Sequence, residues 1–450
     1  MKCSPETWEV QGKNGEALTV NFEGGALTSD AGVLLLKEAD IRLGLLSRLA
    51  ACFTDHRAPG YVDFTVEELL AQRIYGLAAG YEDLNDHDQL RFDPLFLRVL
   101  RSDDKPVLAG KSTLQRLENG ALESTRYHRI LHQQELIAEV FVDMFLEQTS
   151  QPPKLCILDF DATDTPLHGD QEGRFYHGYY GNYCYLPLYV FCGQDLLCAT
   201  LREANQDAAA GALDELKRLV TRIRQRWPKV KLLLRADSGF CREEIMAWCE
   251  ANQVDYLLGL ARNSRLVALI EKAMEKSRRK FLATRQAQRR FVTFWYQTRT
   301  SWSKARRVIA KAEYLEKGEN PRFVVTSLPL DQTTPKDLYE QVYCARGDME
   351  NRIKEQKQDL ASGRTSAHLF RANQLRLWFS ALAYVLVQAI RRLGLSGTEL
   401  AEAQAGTIRL KLLKVGARIL HVGERLTCQL ASACPFRRLW GHVLERLRMT

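Results

Sequence analysis

The sequence predicts an α/β fold in which a central sheet is interrupted by a strand-rich segment and flanked by helical regions at both ends. Between residues 151 and 260, short apolar runs that end in acidic residues alternate with amphipathic stretches, which is typical of strand–helix alternation. Before residue 150, apolar residues recur at helical spacing. After residue 333 the helical spacing returns, and the last segment is strongly basic.

Composition bounds the class of protein. The chain has 450 residues, of which 46% are hydrophobic and 26% charged, so it has ample material for a folded core and room for about three domains. Its longest uncharged apolar stretch, residues 377–390, is shorter than the about 20 residues that span a membrane. The N-terminus carries Glu6 and Glu9 without an apolar core, so we expect no signal peptide. We therefore predict a cytoplasmic protein that contacts no membrane.

The cysteines do not form a recognisable metal or disulfide pattern. There are 11, an odd number, and no CxxC pair occurs in the sequence. Disulfide frameworks are typical of short secreted chains. We expect reduced, buried thiols and no zinc site.

Basic residues are concentrated in two blocks. The net charge is +8, but residues 261–310 hold 14 Lys and Arg against two Glu, and residues 401–450 are also basic. Residues 1–150, by contrast, carry more acidic than basic side chains. Segregated Lys and Arg are typical of a protein that binds a polyanion. Either block alone is equally consistent with a solvated surface, whereas two blocks on both sides of the acidic residues described next favour nucleic acid.

The pattern divides the chain into five segments. The first is helical and includes a short segment at Ser112–Arg116 that makes protein contacts and a few DNA contacts in our interpretation. The Tyr-rich stretch Phe175–Gly193 predicts strands of a meander, with a base-stacking platform as the alternative. The predicted boundaries are a helical region at 1–150, the first part of the core at 151–260, a basic β-rich insertion at 261–332, the last part of the core at 333–395, and a basic helical region at 396–450.

Three carboxylates lie at positions where the functional residues of an α/β sheet commonly occur. Asp161 ends the first predicted strand, Asp237 follows the second, and Glu350 lies on a long helix predicted from Pro335 to about Leu360. Ligands bind at the carboxyl ends of the strands in such sheets. Oxygen ligands without His or Cys suit Mg²⁺ or Mn²⁺, and two such ions about 3.5–4 Å apart promote phosphodiester cleavage. An isolated acid is more often a surface or capping residue, so the prediction depends on the surrounding residues.

The predicted helix carries four polar residues in one stripe. Tyr343, Arg346, Glu350 and Lys357 fall within about 60° of each other at about 100° per residue. This favours an active-site wall in which Glu350 binds metal while Arg346 and Lys357 contact DNA phosphates. The alternative is a surface ladder in which Arg346 and Glu350 pair at the i,i+4 spacing.

The residues and the spacing of Tyr343-x2-Arg346-x3-Glu350-x6-Lys357 match the signature of a large branch of bacterial insertion-sequence transposases. The sequence resembles the insertion-sequence thirteen-eighty family in particular, through the phrases LDFDATDTPLHG, QEGRFYHGYYGNYCYLPLYVFCG, RADSGFCREE and RANQLRLWFSALAYVL. The resemblance extends from about residue 20 to 440. It implies a DDE enzyme with an RNase H-like catalytic core and a β-strand insertion before the catalytic Glu.

The resemblance also implies roles for individual residues. Asp161, Asp237 and Glu350 match the three catalytic, metal-binding acids. Asp159 and Asp164 are alternatives for the first acid, although Asp161 is favoured because a small residue and Thr follow it. Tyr343, Arg346 and Lys357 would contact DNA.

Two tryptophans and the N-terminal region each allow two interpretations. Relatives use aromatic residues of the insertion to hold a flipped base, and Trp295 and Trp302 lie in that segment, although packing is the favoured role for each. The acidic N-terminal segment departs from the expectation that this region helps to bind the element ends.

The predicted function is therefore that of a DNA transposase. Two Mg²⁺ or Mn²⁺ ions would drive cleavage at the terminal inverted repeats of a mobile element and joining of the ends to target DNA, in a homodimer that acts at the nucleoid. The alternatives are an RNase H-like nuclease that cuts without strand transfer and a transposase-derived DNA-binding protein without activity.

Overall fold

A computed structural model describes residues 7–101, 105–120, 122–148, 151–331, 333–422 and 425–449. The chain divides into two compact units. Unit 1 comprises Met1–Gln133, Asp359–Ala361 and Leu382–Thr450, and unit 2 comprises Gln134–Gln358 and Ser362–Ala381.

The N-terminal part of unit 1 has more helix than strand among its described residues, with short strands before and between the helices. The strands are β1 (Thr7–Gln11), β2 (Ala17–Asn21), β3 (Leu27–Thr28), β4 (Phe53–Asp55) and β5 (Ile130–His132). The helices are α1 (Val33–Leu43), α2 (Leu45–Ala50), α3 (Val66–Ala79), α4 (His87–Leu90), α5 (Pro94–Leu100) and α6 (Lys111–Glu118). Thr65 begins α3 with a capping box, since its hydroxyl accepts from the Glu68 N–H and the Glu68 carboxylate accepts from the Thr65 N–H.

Unit 2 contains a nine-stranded mixed sheet and a small three-stranded one. The strands are β6 (Leu155–Ala162), β7 (Thr165–Pro166), β8 (Phe175–His177), β9 (Asn182–Tyr185), β10 (Leu188–Cys192), β11 (Asp195–Thr200), β12 (Lys231–Ala236), β13 (Asp255–Leu260), β14 (Gln288–Tyr296), β15 (Arg306–Leu315), β16 (Gly318–Glu319) and β17 (Arg322–Thr326). The helices are α7 (Gln134–Glu147), α8 (Ala212–Arg226), α9 (Glu243–Ala251), α10 (Ser264–Leu269), α11 (Glu271–Thr284), α12 (Pro335–Asp337), α13 (Gly347–Asp359) and α14 (Phe370–Ala389). The last residue of α13 and the part of α14 from Leu382 onward belong to unit 1.

The large sheet places the predicted catalytic strands side by side at its centre. Its order is β11-β10-β6-β12-β13-β17-β15-β14, with β16 paired to β15. The strands β6, β12 and β13 are parallel, whereas β10 and β11 run antiparallel on one side. The strands predicted as an insertion extend this same sheet, because β17 pairs with β13. Long-range pairing of this kind is not visible in sequence periodicity.

Alternation along the strands separates two hydrophobic faces. Leu232 and Leu234 of β12 belong to the large core, whereas Leu233 belongs to a smaller cluster with Leu338 and Tyr339. Successive strand residues point to opposite faces. Arg235 lies two residues after Leu233 and pairs with Asp159 of β6, and Asp161 lies two residues after Asp159. Arg235, Asp159 and Asp161 therefore point to the same face as Leu233, which is the face that the segment around Leu338 covers.

The predicted long helix changes its hydrogen-bonding pattern before it reaches Glu350. After α12, residues Leu338–Tyr343 form a π-helical segment and Cys344–Arg346 a 3-10 turn, and α13 follows. Pro335 lies in the first turn as predicted, with the Thr334 hydroxyl accepting from the Asp337 N–H. π-Helical turns of this kind are rare and often occur at functional sites.

The C-terminal part of unit 1 departs from the helical prediction. After a π-helical segment at Ile390–Gly394 come α15 (Ala405–Ile408), a second π-helical segment at Arg409–Leu413, β18 (Ala417–Val422), β19 (Arg425–Leu430) and α16 (Arg437–Arg448). The strands β18 and β19 pair with each other, and β18 also pairs with β3. The prediction of a helical region at 396–450 was wrong for β18 and β19, because Val415, Ala417 and Ile419 are buried at alternate positions, which is a strand period.

Every helix within the described ranges falls short of the combined length and hydrophobicity that a membrane span requires. The apolar stretch 377–390 lies largely in α14, and its residues are mostly buried.

Candidate active site

Asp161 and Asp237 lie on two neighbouring strands of unit 2. Asp161 is the second-last residue of β6, and Asp237 directly follows β12, as predicted. Each carboxylate accepts a hydrogen bond from the backbone, Asp161 from the Ala162 N–H at 3.0 Å and Asp237 from the Gly239 N–H at 2.8 Å. These bonds orient the two side chains while leaving oxygen atoms for other partners.

Arg346 joins Asp161 to Glu350. Its Nη2 donates to Glu350 Oε1 at 2.5 Å, and its Nη1 lies 3.5 Å from the Asp161 carboxylate. Arg346 and Asp161 are mostly buried, whereas the Glu350 side chain is 55% exposed. The i,i+4 pair is therefore present, but it is part of a cluster with a strand carboxylate rather than a ladder on a free helix surface.

The three acids influence each other electrostatically. The pKa of Asp161 is raised to about 6, chiefly by burial and also by the Asp237 and Glu350 carboxylates, although the Arg346 guanidinium acts to lower it. The pKa of Arg346 is raised despite its burial, because Asp161, Glu350, Tyr343 and Asp237 favour its charged form. Negative charge is thus concentrated at this edge of the sheet.

Tyr343 and Lys357 contact residues that neighbour Asp237 and Asp161 in sequence or in the sheet. A Cβ atom added to Gly259 of β13 would lie 2.6 Å from the Tyr343 hydroxyl and 2.7 Å from the Ser238 nitrogen, so glycine allows both to approach the strand. Lys357 Nζ donates to the Thr163 hydroxyl at 2.7 Å and to the Asp164 carbonyl at 2.6 Å. Tyr343, Arg346 and Lys357 therefore contact the edge of the sheet that carries the acids, and Glu350 is joined to it through Arg346.

Asp159 has a different environment from Asp161, although the two share one face of β6. Arg235 on β12 donates to both Asp159 oxygens, at 2.5 and 2.7 Å, and its third nitrogen donates to the Val342 carbonyl. Both side chains are buried, with 7% and 5% exposed. One guanidinium thus links the two acid-bearing strands to the segment that leads to Arg346 and Glu350.

Sequence reasoning quoted Arg235 in the phrase RADSGF but assigned it no role. A signal was available, since a charged residue within the apolar run VKLLLRA must be paired when both faces of a strand are buried. Its partner could not be chosen from sequence, because Asp159, Asp161 and Asp237 were all within reach of that strand.

The donor set is all oxygen, which is the chemistry that Mg²⁺ and Mn²⁺ prefer. Among the described residues, no three His, Cys, Asp or Glu side chains are close enough together to form a ready metal-ligand group. In the structure Arg346 supplies the positive charge between Asp161 and Glu350. The residues fit a hard divalent cation by their chemistry.

The two tryptophans of the predicted insertion differ. Trp302 is buried and packs edge-on against Tyr296 at 5.8 Å, which confirms the packing role. Trp295 on β14 is 66% exposed, so the expectation of packing was wrong for this residue. Its alternation with Phe294 along the strand places it on the solvent side.

The family model described as transposase DDE domain group 1 matches residues 10–450. The chain belongs to this family. The transposase is also similar to a solved structure titled as a cryo-EM structure of the piggyBac transposase synaptic complex with hairpin DNA. That chain is 12% identical, the match covers 93% of this chain and 82% of the other, and the TM-score is 0.44. No curated protein matches the transposase.

Proposed function

We propose that this transposase cuts the ends of an insertion sequence at its terminal inverted repeats and joins them to target DNA. The observation that carries the proposal is the cluster of Asp161, Asp237 and Glu350 around Arg346, formed by two adjacent strands and one helix of unit 2. Membership of the DDE transposase family supports it. The four-residue signature and the quoted phrases support the finer assignment to the insertion-sequence thirteen-eighty family.

Asp161, Asp237 and Glu350 would hold two Mg²⁺ or Mn²⁺ ions in an RNase H-like core. The central order β10-β6-β12-β13, with one antiparallel and two parallel pairings, supports such a core. When bound, the ions would activate a water or 3′-hydroxyl and stabilise the leaving oxygen of the phosphodiester. Because the pKa of Asp161 is raised to about 6, cation binding should weaken as the pH falls below that value and the carboxyl takes up a proton.

Asp161 is the first acid in this proposal, ahead of Asp159 and Asp164. Both Asp159 oxygens accept hydrogen bonds from Arg235 in a buried pair, so ligation by Asp159 would leave a buried guanidinium without its partner. Asp164 accepts a hydrogen bond from Asn182 and lies 4.0 Å from Lys357. Asp161 accepts a backbone hydrogen bond from Ala162 and lies 3.5 Å from Arg346 Nη1, so it would give up no close side-chain hydrogen bond on binding a cation.

Arg346 and Lys357 would position DNA phosphates. The Nη1 atom of Arg346 is buried and has no hydrogen-bond partner within the described residues. A buried donor without an acceptor is costly, and a phosphate oxygen would satisfy it with a charge-assisted hydrogen bond. The desolvated Lys357 ammonium, whose pKa burial lowers, would likewise gain from an anionic partner. Tyr343 would pack or donate a hydrogen bond near the scissile phosphate.

DNA would also contact basic surfaces in both units. Basic side chains of α11 and β14 are exposed, including those of Lys272, Lys276, Lys280 and Arg290. In unit 1 a cavity of about 230 Å³ is lined by four arginines against one aspartate, namely Arg57, Arg116, Arg126, Arg129 and Asp63. This local excess of positive charge gives the otherwise acidic N-terminal region a place to bind the element ends. Because two ends are cut together, we propose that the transposase acts as a homodimer at the nucleoid in the cytoplasm.

Glu350→Gln tests the acid cluster. The variant should abolish Mg²⁺-dependent cleavage of labelled DNA that carries the element ends, because one of three metal-binding carboxylates is lost, while end binding in EDTA changes less than about threefold. Asp348→Asn is the matched control, since Asp348 is an exposed acid on the same helix. Cleavage by Glu350→Gln at the rate of the control would contradict the assignment. Joined products distinguish a transposase from a nuclease that only cuts.

A further inference from the structure

A hairpin of unit 2 presents tyrosines to solvent. The strands β8 and β9 and their turn form this tyrosine hairpin, residues 174–185, which ends in a short pairing with β7. Tyr176 is 59% exposed, Tyr179 86% and Tyr183 47%. Packing within the described residues does not explain why three large rings are kept in contact with water.

The rings are ordered by contacts with each other. Tyr176 and Tyr183 are cross-strand neighbours in an edge-to-face arrangement at 5.6 Å, and Tyr179 meets Tyr180 in the same way at 5.0 Å. The Arg174 guanidinium lies over the Tyr183 ring at 4.7 Å. Each contact reduces the rotamer freedom that a ring would lose on binding a flat partner. The hairpin therefore presents a preorganised aromatic surface with a cation at one edge.

The hairpin lies beside the acid cluster. Asn182 at the start of β9 donates to the Asp164 carboxylate at 3.3 Å, and Lys357 donates to the carbonyl of the same residue. Tyr180 packs on a small buried cluster together with Ala162, the residue after Asp161. Burial raises the pKa of Tyr180 to about 12, and Asp164, Asp161 and Asp237 add to the effect, in agreement with this proximity.

We propose that the tyrosine hairpin stacks unpaired bases of the DNA strand whose phosphate lies at the acid cluster. The proposal rests on the function proposed above, because it takes DNA as the substrate. Every base has a flat π face, so aromatic side chains hold single-stranded nucleotides with little sequence preference. Arg174, which also pairs with the 92%-exposed Asp170 at 3.2 Å, and Lys357 are the cations beside this surface that a sugar–phosphate backbone would contact. A cut end or a flipped nucleotide at the acid cluster would offer unpaired bases to the hairpin.

The experiment measures DNA binding in EDTA, so that metal-dependent cleavage does not affect the measured affinity. The full chain is titrated with a forked DNA whose unpaired arm carries 2-aminopurine and with a blunt duplex of the same sequence. Wild type should prefer the fork and change the fluorescence of the 2-aminopurine. Tyr176→Ala/Tyr179→Ala should weaken fork binding at least about tenfold, since loss of one stacked base lowers affinity by about 5- to 150-fold. Blunt-duplex affinity should stay within about twofold.

Two further variants separate stacking from folding and from charge. Tyr176→Phe/Tyr179→Phe keeps both rings and should bind the fork as wild type does. Phe92→Ala removes a ring that is 62% exposed in unit 1 and should leave fork binding unchanged. The salt dependence of fork binding should be equal for wild type and the alanine variant, because no charge is removed.

Three results would each overturn the proposal. Wild type could bind fork and duplex equally, or bind neither of them. The alanine variant could bind the fork as tightly as wild type does. Failure of the proposed function is a separate result, namely absence of Mg²⁺-dependent cleavage by wild type. An alanine variant that loses fork binding supports the stacking role even if no cleavage is observed.

Discussion

Replacement of Arg235 tests whether one buried guanidinium holds the active site together. In Arg235→Met the Asp159 carboxylate, which is 5% exposed, keeps its burial and loses two hydrogen bonds. The Val342 carbonyl loses a charged donor at the same time. A methionine side chain fills much of the space of the arginine stem, so the main change is electrostatic rather than a cavity.

The expected destabilisation is large. Removing one partner of a buried ion pair costs about 3–5 kcal/mol, because an uncompensated charge remains in the interior. In a unit of 150–250 residues each kcal/mol corresponds to about 2–4 °C in Tm, so the melting of unit 2 should fall by roughly 6–20 °C. Cleavage should fall further than stability alone requires, since the segment from Val342 leads directly to Arg346 and Glu350.

The assay is thermal and urea unfolding of wild type, Arg235→Met and two comparison variants. Arg242→Met breaks a pair of the same chemistry whose side chains are 39% and 53% exposed, and it should change stability by less than about 1 kcal/mol. Arg235→Met/Asp159→Leu removes both charges, so it should recover most of the loss. A single variant that melts within about 2 °C of wild type, or a double variant no more stable than the single one, would refute this reasoning.

Two remaining predictions concern charge in each unit. Burial raises the pKa of Glu250, but hydrogen bonds from Arg306, Lys304 and Tyr256 outweigh this effect and lower the pKa to about 2. The Glu250 carboxylate therefore contributes fully to the free energy of unfolding above pH about 4.5, and this contribution is lost as the pH falls toward 2. Glu250→Gln should be less stable than wild type at pH 7 and equally stable near pH 2, and a difference independent of pH in urea unfolding would contradict this. Arg126→Ala/Arg129→Ala should weaken duplex binding, measured by fluorescence anisotropy, and reduce the slope of log K against log salt by up to about 2. Arg42→Ala, on α1 outside the cavity, should leave the slope unchanged. Equal slopes for the double variant and wild type would show that the cavity does not bind DNA.

The parts of the fold with local causes were predictable from the sequence. The runs that become β6, β12 and β13 are short, apolar and followed by polar residues, so their strand character and the positions of Asp161 and Asp237 could be predicted. The spacing of Arg346 and Glu350 similarly predicted a side-chain pair, which the structure contains. These features depend on periods of two and 3.6 residues that any short window contains.

The parts with long-range causes were not predictable. The pairing of β17 with β13 joins residues about 65 positions apart, and no local pattern specifies it. The choice of Asp159 as the partner of Arg235 depends on the register between β6 and β12. The π-helical segment Leu338–Tyr343 packs on Leu233, Leu257 and Ile309, which are distant in sequence, and sequence spacing alone does not reveal these contacts.

Charge counts also required the structure for their interpretation. Arg306 and Arg307 add to the basic block at 261–310, yet both are buried. Arg306 binds Glu243 and Glu250, and Arg307 donates to the Leu328 and Pro329 carbonyls. Part of that block therefore stabilises unit 2, and the exposed remainder on α11 and β14 is what DNA can reach.

The most direct test of the central claim is a strand-cleavage assay with the full chain and end-labelled DNA that includes the sequences flanking its gene. The account predicts nicks at the element boundary in Mg²⁺ or Mn²⁺, followed by joined products, and no nicks in EDTA or with Asp161→Asn or Asp237→Asn. Nicks that persist in EDTA, or that both variants produce at the wild-type rate, would contradict a metal-dependent site formed by these acids.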